Sequence, residues 1–179
     1  MRLSAVLDQS DFSIAELCAQ RLDGDLFSVG DGYTPSDIAD DVETRAASLA
    51  ITLGPERVAA RTTAAWIWKA FPRLERPLQV CVGSGRSQAI EPLRGVVLRE
   101  STLTEDDIVS CCGLRITSPR RTALDLVRDP RYRPEDAAAV AELMRLAGDS
   151  GGDLVTLLNE SRFRRESVRA RERLESLAA

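Results

Sequence analysis

The side chains that could carry chemistry in this chain are restricted by the absence of histidine. Without an imidazole, Ser-His-Asp and Cys-His catalysis are excluded, because both need a histidine as the general base. The remaining enzymatic routes would use carboxylates, such as Asp106 and Asp107, or the single lysine, Lys69. Adjacent acids at a turn are more typical of a helix cap or of a solvated surface. We therefore favour a structural role for Asp106 and Asp107, and we expect no cofactor.

Arginines are the second chemically informative set, and they gather in two segments. Residues 120–133 contain five arginines, opposed by Asp125 and Asp129. Residues 162–173 contain six arginines and two glutamates, and four of these arginines share one stripe at helical spacing. Such a stripe can follow the phosphates of a nucleic acid, and each contact makes binding more dependent on salt. The candidate nucleic-acid-binding residues are therefore Arg120, Arg121, Arg162, Arg164, Arg165, Arg169, Arg171 and Arg173.

Both arginine segments also allow a plainer interpretation, in which they are solvated helix faces. Arg121 and Asp125 lie one helical turn apart, and we expect an exposed ion pair worth at most about 0.5 kcal/mol. In the second segment, Glu166 and Glu172 could pair with arginines in the same way. The sequence leaves both interpretations open.

Aromatic residues are scarce, yet three of them fall in one short segment: Trp66, Trp68 and Phe71. The two tryptophans lie about 200° apart around a helix, so one of them should be partly exposed. One interpretation places one indole in the core and the other at its edge. The alternative is a surface for a protein partner, since exposed tryptophans favour interfaces.

Two further patterns are weak candidates for binding sites. The loop Gly83-Ser84-Gly85-Arg86 follows an apolar strand and could hold a phosphate, but it matches neither common phosphate-binding motif, and a plain loop is the favoured interpretation. The cysteines show no C-x-x-C spacing, and the adjacent Cys111 and Cys112 would point to opposite faces of a strand. We therefore expect no metal site and small buried thiols instead.

Charge is distributed unevenly along the 179 residues. Residues 1–60 carry 4 basic and 11 acidic side chains, whereas residues 61–179 carry 20 basic and 17 acidic ones. A polyanion should therefore prefer the second part of the chain. No apolar run approaches the roughly 20 residues that span a bilayer, and the N-terminus lacks a secretory pattern. We predict a cytoplasmic protein with no membrane partner.

The N-terminal pattern predicts a helix followed by a two-stranded ribbon. Ser13 and Glu16 form a capping box, and the helix should end at Asp23-Gly24. The ribbon is predicted from strands at 26–29 and 33–34, closed by Pro35. The apolar face of the helix is predicted to consist of Ile14, Leu17, Cys18 and Leu22.

The rest of the chain predicts an α+β fold, with a small, mostly antiparallel sheet, helices on one side and an all-helical C-terminus. The predicted domains are a degenerate winged-helix-like segment, 1–36, and an α+β domain, 37–179. The predicted strands are 57–60, 78–82, 96–99, 108–110 and 114–116. The predicted helices are 40–53, 63–70, 119–128, 135–147, 153–160 and 163–177.

Two blocks of this sequence resemble the AbiEi family, the antitoxins or transcriptional regulators of type IV toxin–antitoxin pairs. Residues 117–126, Thr-Ser-Pro-Arg-Arg-Thr-Ala-Leu-Asp-Leu, are similar to the family's T-S-P-x-R-T-A-L-D-L signature. Residues 58–68 resemble another block of the family, although Ala60-Arg61 stands where a Ser-His pair is usual. The ribbon and the two blocks occur in the family's order.

The resemblance implies a non-enzymatic, antitoxin-type regulator. It implies an N-terminal DNA-binding winged helix, a second domain needed for antitoxicity and a nucleotidyltransferase toxin encoded alongside. Here the winged helix looks shortened, and Asp23, Asp25 and Asp31 make its ribbon acidic. DNA binding is therefore expected at the arginine-rich C-terminal part. The alternative is a protein–protein interaction module that binds no DNA, and a homodimer is open in either case.

Overall fold

The computed structural model describes residues 6–85 and 90–150, together with residues 170, 172 and 173. Within these ranges it contains five α-helices and two β-sheets, which confirms the predicted mixed α+β class. The chain forms two compact units. The first is residues 1–57 with 110–115, and the second is residues 58–109 with 116–179. The predicted domain boundary between residues 36 and 37 lies inside the first unit and stays a prediction.

The first unit begins with the predicted helix and ribbon. Helix α1 (Ile14–Asp23) starts at the capping box of Ser13 and Glu16 and ends at Gly24, whose φ of 87° suits glycine. Strands β1 (Leu26–Val29) and β2 (Gly32–Pro35) form an antiparallel hairpin. The prediction is therefore confirmed, with a tighter turn because Gly32 already belongs to β2.

The predicted apolar face of α1 is only partly correct. Leu17 is fully buried, in a small cluster with Leu7 and Leu26, but Ile14 and Leu22 are 51% and 79% exposed. Cys18 is half-buried, with its sulfur atom 4.0 Å from the hydroxyl oxygen of Tyr33 beside this cluster. The spacing therefore identifies the side of the helix that packs, but only Leu17 on it is fully buried.

The second helix of this unit, α2 (Val42–Leu53), packs directly on the turn of the hairpin. Its N-cap is Asp41, whose carboxylate accepts a 2.8 Å hydrogen bond from the amide of Thr44. A Cβ atom added at Gly30 would lie 2.1 Å from the hydroxyl oxygen of Ser48. Glycine at this turn is therefore required both by this close approach and by its φ of 54°.

The larger sheet has five strands in the order β5-β4-β3-β7-β6. Strands β3 and β4 are antiparallel, whereas β4 and β5 are parallel. The parallel pair was not predicted individually, and the connection at 83–95 has the length that parallel neighbours need. The strands are β3 (Val58–Ala59), β4 (Leu78–Val82), β5 (Val96–Glu100), β6 (Ile108–Cys111) and β7 (Leu114–Thr117).

The second unit packs three helices into one apolar core: α3 (Arg61–Ile67), α4 (Pro119–Val127) and α5 (Ala137–Ala147). The core includes Ala123, Val127 and Leu143, each with no exposed surface. The helices predicted at 153–160 and 163–177 lie outside the described residues, except that residues 170, 172 and 173 are helical. In the described part of the chain, every helix is too short or too polar to cross a bilayer.

Candidate functional site

The junction between β7 and α4 contains the residues of the T-S-P block. Ser118 is the N-cap of α4 and accepts a hydrogen bond of 3.4 Å from the amide of Arg121. Pro119 occupies the first helical position, where its missing N–H leaves no hydrogen bond unmade. The sequence therefore predicts this strand-to-helix junction correctly.

Two buried threonines form hydrogen bonds within this junction, and one of them also accepts a hydrogen bond from Trp68, the residue that follows α3. The hydroxyl of Thr122 donates to the carbonyl of Thr117 at 3.0 Å, and the two hydroxyl oxygens lie 2.7 Å apart. The indole N–H of Trp68 donates to the same carbonyl at 2.8 Å. Both threonines have no exposed surface, so these bonds satisfy polar atoms that water cannot reach.

Arg121 lies at the centre of a polar network rather than on an open face. Its Nε donates to both carboxylate oxygens of Asp125 at 3.1 Å. One terminal nitrogen donates to Asp107 at 2.9 Å and to the Thr102 carbonyl at 3.0 Å, and the other donates to the Ser101 hydroxyl at 2.6 Å. The predicted pairing with Asp125 is confirmed, but the expected exposure is wrong.

Burial determines the electrostatics of this pair. The side chains of Arg121 and Asp125 are 13% and 14% exposed. Burial raises the pKa of the Asp125 carboxyl, and the nearby guanidinium acts against this effect. Burial would lower the pKa of Arg121, but the carboxylates of Asp125 and Asp107 raise it overall. Because the donors of Arg121 are directed at four groups of the protein, the network joins α4 to the segment 101–107.

The other candidate nucleic-acid-binding arginines that the structure describes differ in exposure. Arg120 is 53% exposed and forms an ion pair with Asp149, whose side chain is only 4% exposed. Arg173 donates to the carbonyls of Val127 and Asp129 at the end of α4. It also lies 4.4 Å from the centre of the Tyr132 ring. Arg173 therefore caps the C-terminal end of α4, whereas about half of the Arg120 side chain remains exposed to solvent. The other candidate arginines lie outside the described residues: Arg162, Arg164, Arg165, Arg169 and Arg171.

The three aromatic residues of the α3 segment pack mainly inward. Trp66 is 5% exposed. Trp68 and Phe71 are half-buried at the edge of the core of the second unit. The interpretation with one buried indole and one at the edge fits these positions. In this structure, the predicted partner surface could use Trp68 and Phe71 but not Trp66.

Three weaker candidates can also be located. Asp107 accepts a 2.9 Å hydrogen bond from the amide of Thr104, so it caps a turn as expected. Ser84 lies 3.4 Å from the Thr102 hydroxyl, and Arg86 lies outside the described residues, so phosphate binding by that loop stays a prediction. Among the described residues no group of three or more cysteines and carboxylates could hold a metal ion.

The cysteines differ from the expectation of small buried thiols. Cys81 is buried, but Cys112 is exposed at the turn between β6 and β7. Its φ of 48° places the Cys112 backbone in the left-handed region, so the two neighbouring thiols do not diverge as they would along a strand. Their sulfur atoms lie 3.9 Å apart. Burial raises the pKa of Cys111 to about 11, with the Cys112 thiol and the carboxylates of Glu43 and Asp41 adding to the effect.

A cleft of about 280 Å³ in the second unit was not anticipated from the sequence. It is bordered by the N-terminal end of β4, by β5 and by the turn after α4. No single motif predicts it, because its arginines come from three segments far apart in the chain. The charged and polar residues that line it include Arg76, Gln79, Arg99, Asp129, Arg131 and Arg133.

Comparisons with known proteins include a family model that covers the two family-like blocks. The crystal structure of the Rv2827c protein from Mycobacterium tuberculosis is similar at 17% identity and a TM-score of 0.47, over 97% of this chain and 72% of that chain. No curated protein matches the chain. The family model for the AbiEi antitoxin C-terminal domain matches residues 57–176, about two thirds of the 179 residues. The chain thus belongs to the AbiEi antitoxin C-terminal domain family.

Proposed function

We propose that this protein is a non-enzymatic, antitoxin-type transcriptional regulator that binds DNA through its arginine-rich C-terminal surface. The observation that carries the proposal is the family match, which covers both the T-S-P block and the arginine-rich segment. A nucleotidyltransferase-type toxin is the proposed protein partner. We also propose that the protein is cytoplasmic and that it forms a homodimer.

The DNA surface is proposed from charge. The segment 162–173 has six arginines and two glutamates. The predicted winged-helix-like segment is a poor alternative, because Asp23, Asp25 and Asp31 surround its ribbon where a wing that follows phosphates would be basic. Arg120 could add a phosphate contact beside the N-terminus of α4. Arg121 and Arg173 are expected to act in the fold instead, since their donors are directed at protein groups.

The experiment is a fluorescence-anisotropy titration of the full chain with random-sequence duplex DNA at about 50 and 200 mM salt. We expect binding that weakens steeply at the higher salt and is largely lost in the triple variant R164Q/R165Q/R169Q. The matched control is R73Q/R94Q/R145Q, which removes the same charge from three exposed arginines. Absence of binding at 50 mM salt, or equal losses in both variants, would contradict the proposal.

A second candidate function is a protein-interaction module without DNA binding. The exposure of Ile14, Leu22 and Ile51 on the acidic first unit favours it, because large apolar side chains in water are common at interfaces. Trp68 and Phe71 offer a further contact on the second unit. Toxin binding that persists in R164Q/R165Q/R169Q, with no DNA binding in the wild type, would favour this candidate.

A further inference from the structure

The cleft of the second unit has more positive than negative charge. Four arginines line it, against the three carboxylates Glu75, Asp129 and Asp136. A small enclosed surface with this balance favours an anionic ligand. Its volume, about 280 Å³, is just below the range of about 300–1,000 Å³ that is usual for small-molecule sites.

Each of the three carboxylates of the cleft is already paired with an arginine. Arg133 forms ion pairs with Glu75 and Asp136, at 3.1 and 3.0 Å. Asp129 forms an ion pair with Arg61. The guanidinium groups of Arg99 and Arg131 have no carboxylate partner in the described part of the chain. These two exposed arginines therefore supply the positive charge that a ligand could use.

A buried acceptor in the same cleft lacks a donor. The side-chain nitrogen of Gln79 donates to the hydroxyl of Thr62 at 3.1 Å. The side-chain oxygen, Oε1, is buried and has no hydrogen-bond partner in the described part of the chain. Buried polar atoms are rarely left in this state, so a donor is expected to complete the site. Gln79 and Arg99 also line a smaller adjoining pocket, which places the amide and the guanidinium on one continuous surface.

We propose that this cleft binds a ligand of nucleoside monophosphate size. Arg99 and Arg131 bind its phosphate through charge-assisted hydrogen bonds. The Oε1 atom of Gln79 accepts a hydrogen bond from an N–H of the base or an O–H of the sugar. The site is independent of the proposed DNA surface, because none of its residues belongs to the arginine-rich segment 162–173. The same chemistry could be supplied by a free nucleotide or by the 5′-phosphorylated end of a nucleic acid.

The test is isothermal titration calorimetry of the full chain with GMP, guanosine and inorganic phosphate. We expect GMP to bind more tightly than either fragment, because only GMP offers both the phosphate and the donor. R99Q and R131Q should each weaken GMP binding by about tenfold or more. R94Q removes an exposed arginine outside the lining of the cleft and should leave the affinity unchanged.

The variant Gln79→Met tests the hydrogen-bond acceptor of the site independently of the two arginines. It keeps the side-chain length but removes the acceptor, so it should weaken GMP binding and leave the weaker binding of inorganic phosphate unchanged. Circular dichroism of the variant checks that it is folded. No GMP binding, or affinities that are equal in R99Q, R131Q and the wild type, would overturn the proposal. Equal affinities of GMP and inorganic phosphate would overturn the role of Gln79.

A 5′-phosphorylated trinucleotide identifies the source of the ligand. Tighter binding of the trinucleotide than of GMP, with the same loss in R99Q, supports the site and assigns it to a strand end. Weaker binding of the trinucleotide supports the site and assigns it to a free nucleotide. The triple variant R164Q/R165Q/R169Q should bind GMP normally. Failure of this proposal and failure of the DNA proposal therefore give different results.

Discussion

Replacing Arg121 with methionine tests whether the T-S-P block maintains the fold. The substitution removes hydrogen bonds to Asp125, Asp107, Thr102 and Ser101, and it leaves the largely buried Asp125 carboxylate without its nearest positive charge. Breaking a buried ion pair by removing one partner costs about 3–5 kcal/mol. Because both side chains keep some contact with water, we expect the lower end, about 3 kcal/mol.

The assay is urea unfolding followed by circular dichroism, with the free energy of unfolding compared between variants. The matched control is R145M on α5, since Arg145 is 68% exposed and ion pairs in contact with water stabilise a protein little. The double variant R121M/D125L should recover much of the loss, because the carboxylate of Asp125 is removed and Asp107 keeps its hydrogen bond from the Thr104 amide. A loss below about 1 kcal/mol in R121M would refute the structural role of the network.

Three further predictions follow from single contacts. G30A should lower the free energy of unfolding by more than about 1 kcal/mol in urea, because the added Cβ meets a serine hydroxyl oxygen at 2.1 Å; an unchanged stability would contradict this packing. W68F should lower the free energy of unfolding by about 1 kcal/mol in the same assay, because the hydrogen bond from the indole to the Thr117 carbonyl is lost. An unchanged free energy of unfolding would contradict a stabilising role of that hydrogen bond. The alkylation of Cys111 by iodoacetamide, measured by mass spectrometry, should be slow at pH 8 and should become faster as the pH approaches the Cys111 pKa of about 11. Cys112 is the internal comparison. Fast alkylation of Cys111 at pH 8 would contradict the raised pKa.

The raised pKa of Cys111 also fixes the sign of a pH effect on stability. The folded chain holds the thiol proton more tightly than the unfolded chain, whose thiol titrates near the ordinary value of 9.0. The stabilisation is therefore fully present below about pH 9 and is lost as the pH rises through about 11. In C111S this part of the alkaline loss in unfolding free energy should disappear.

Local signals in the sequence predicted the parts of this fold whose interactions are local. The capping box at Ser13, the proline after Ser118 and the apolar run of β4 act within a few residues, so helix starts and strands could be placed from them. The exposure of Ile14 and Leu22 could not be predicted in this way, because it depends on how much surface the ribbon offers. The parallel pairing of β4 and β5 likewise depends on the path of a long connection.

The candidate sites show the same division between local and long-range information. The pairing of Arg121 with Asp125 follows from helical spacing, but its burial depends on Ser101, Thr102 and Asp107, which precede it by 14 to 20 positions. The cleft is less predictable still, since Arg99 and Arg131 meet only through the fold. Its Gln79 carries no sequence signal, and only the missing donor at Oε1 marks it.

The dependence of DNA affinity on salt tests the proposed regulator most directly. The slope of log K against log salt should be negative in the wild type and should become shallower by roughly 2–3 in R164Q/R165Q/R169Q, since each lost phosphate contact contributes about 0.9. The control R73Q/R94Q/R145Q should keep the slope of the wild type. Equal slopes in all three proteins, or no measurable affinity at about 50 mM salt, would contradict DNA binding by the arginine-rich C-terminal surface.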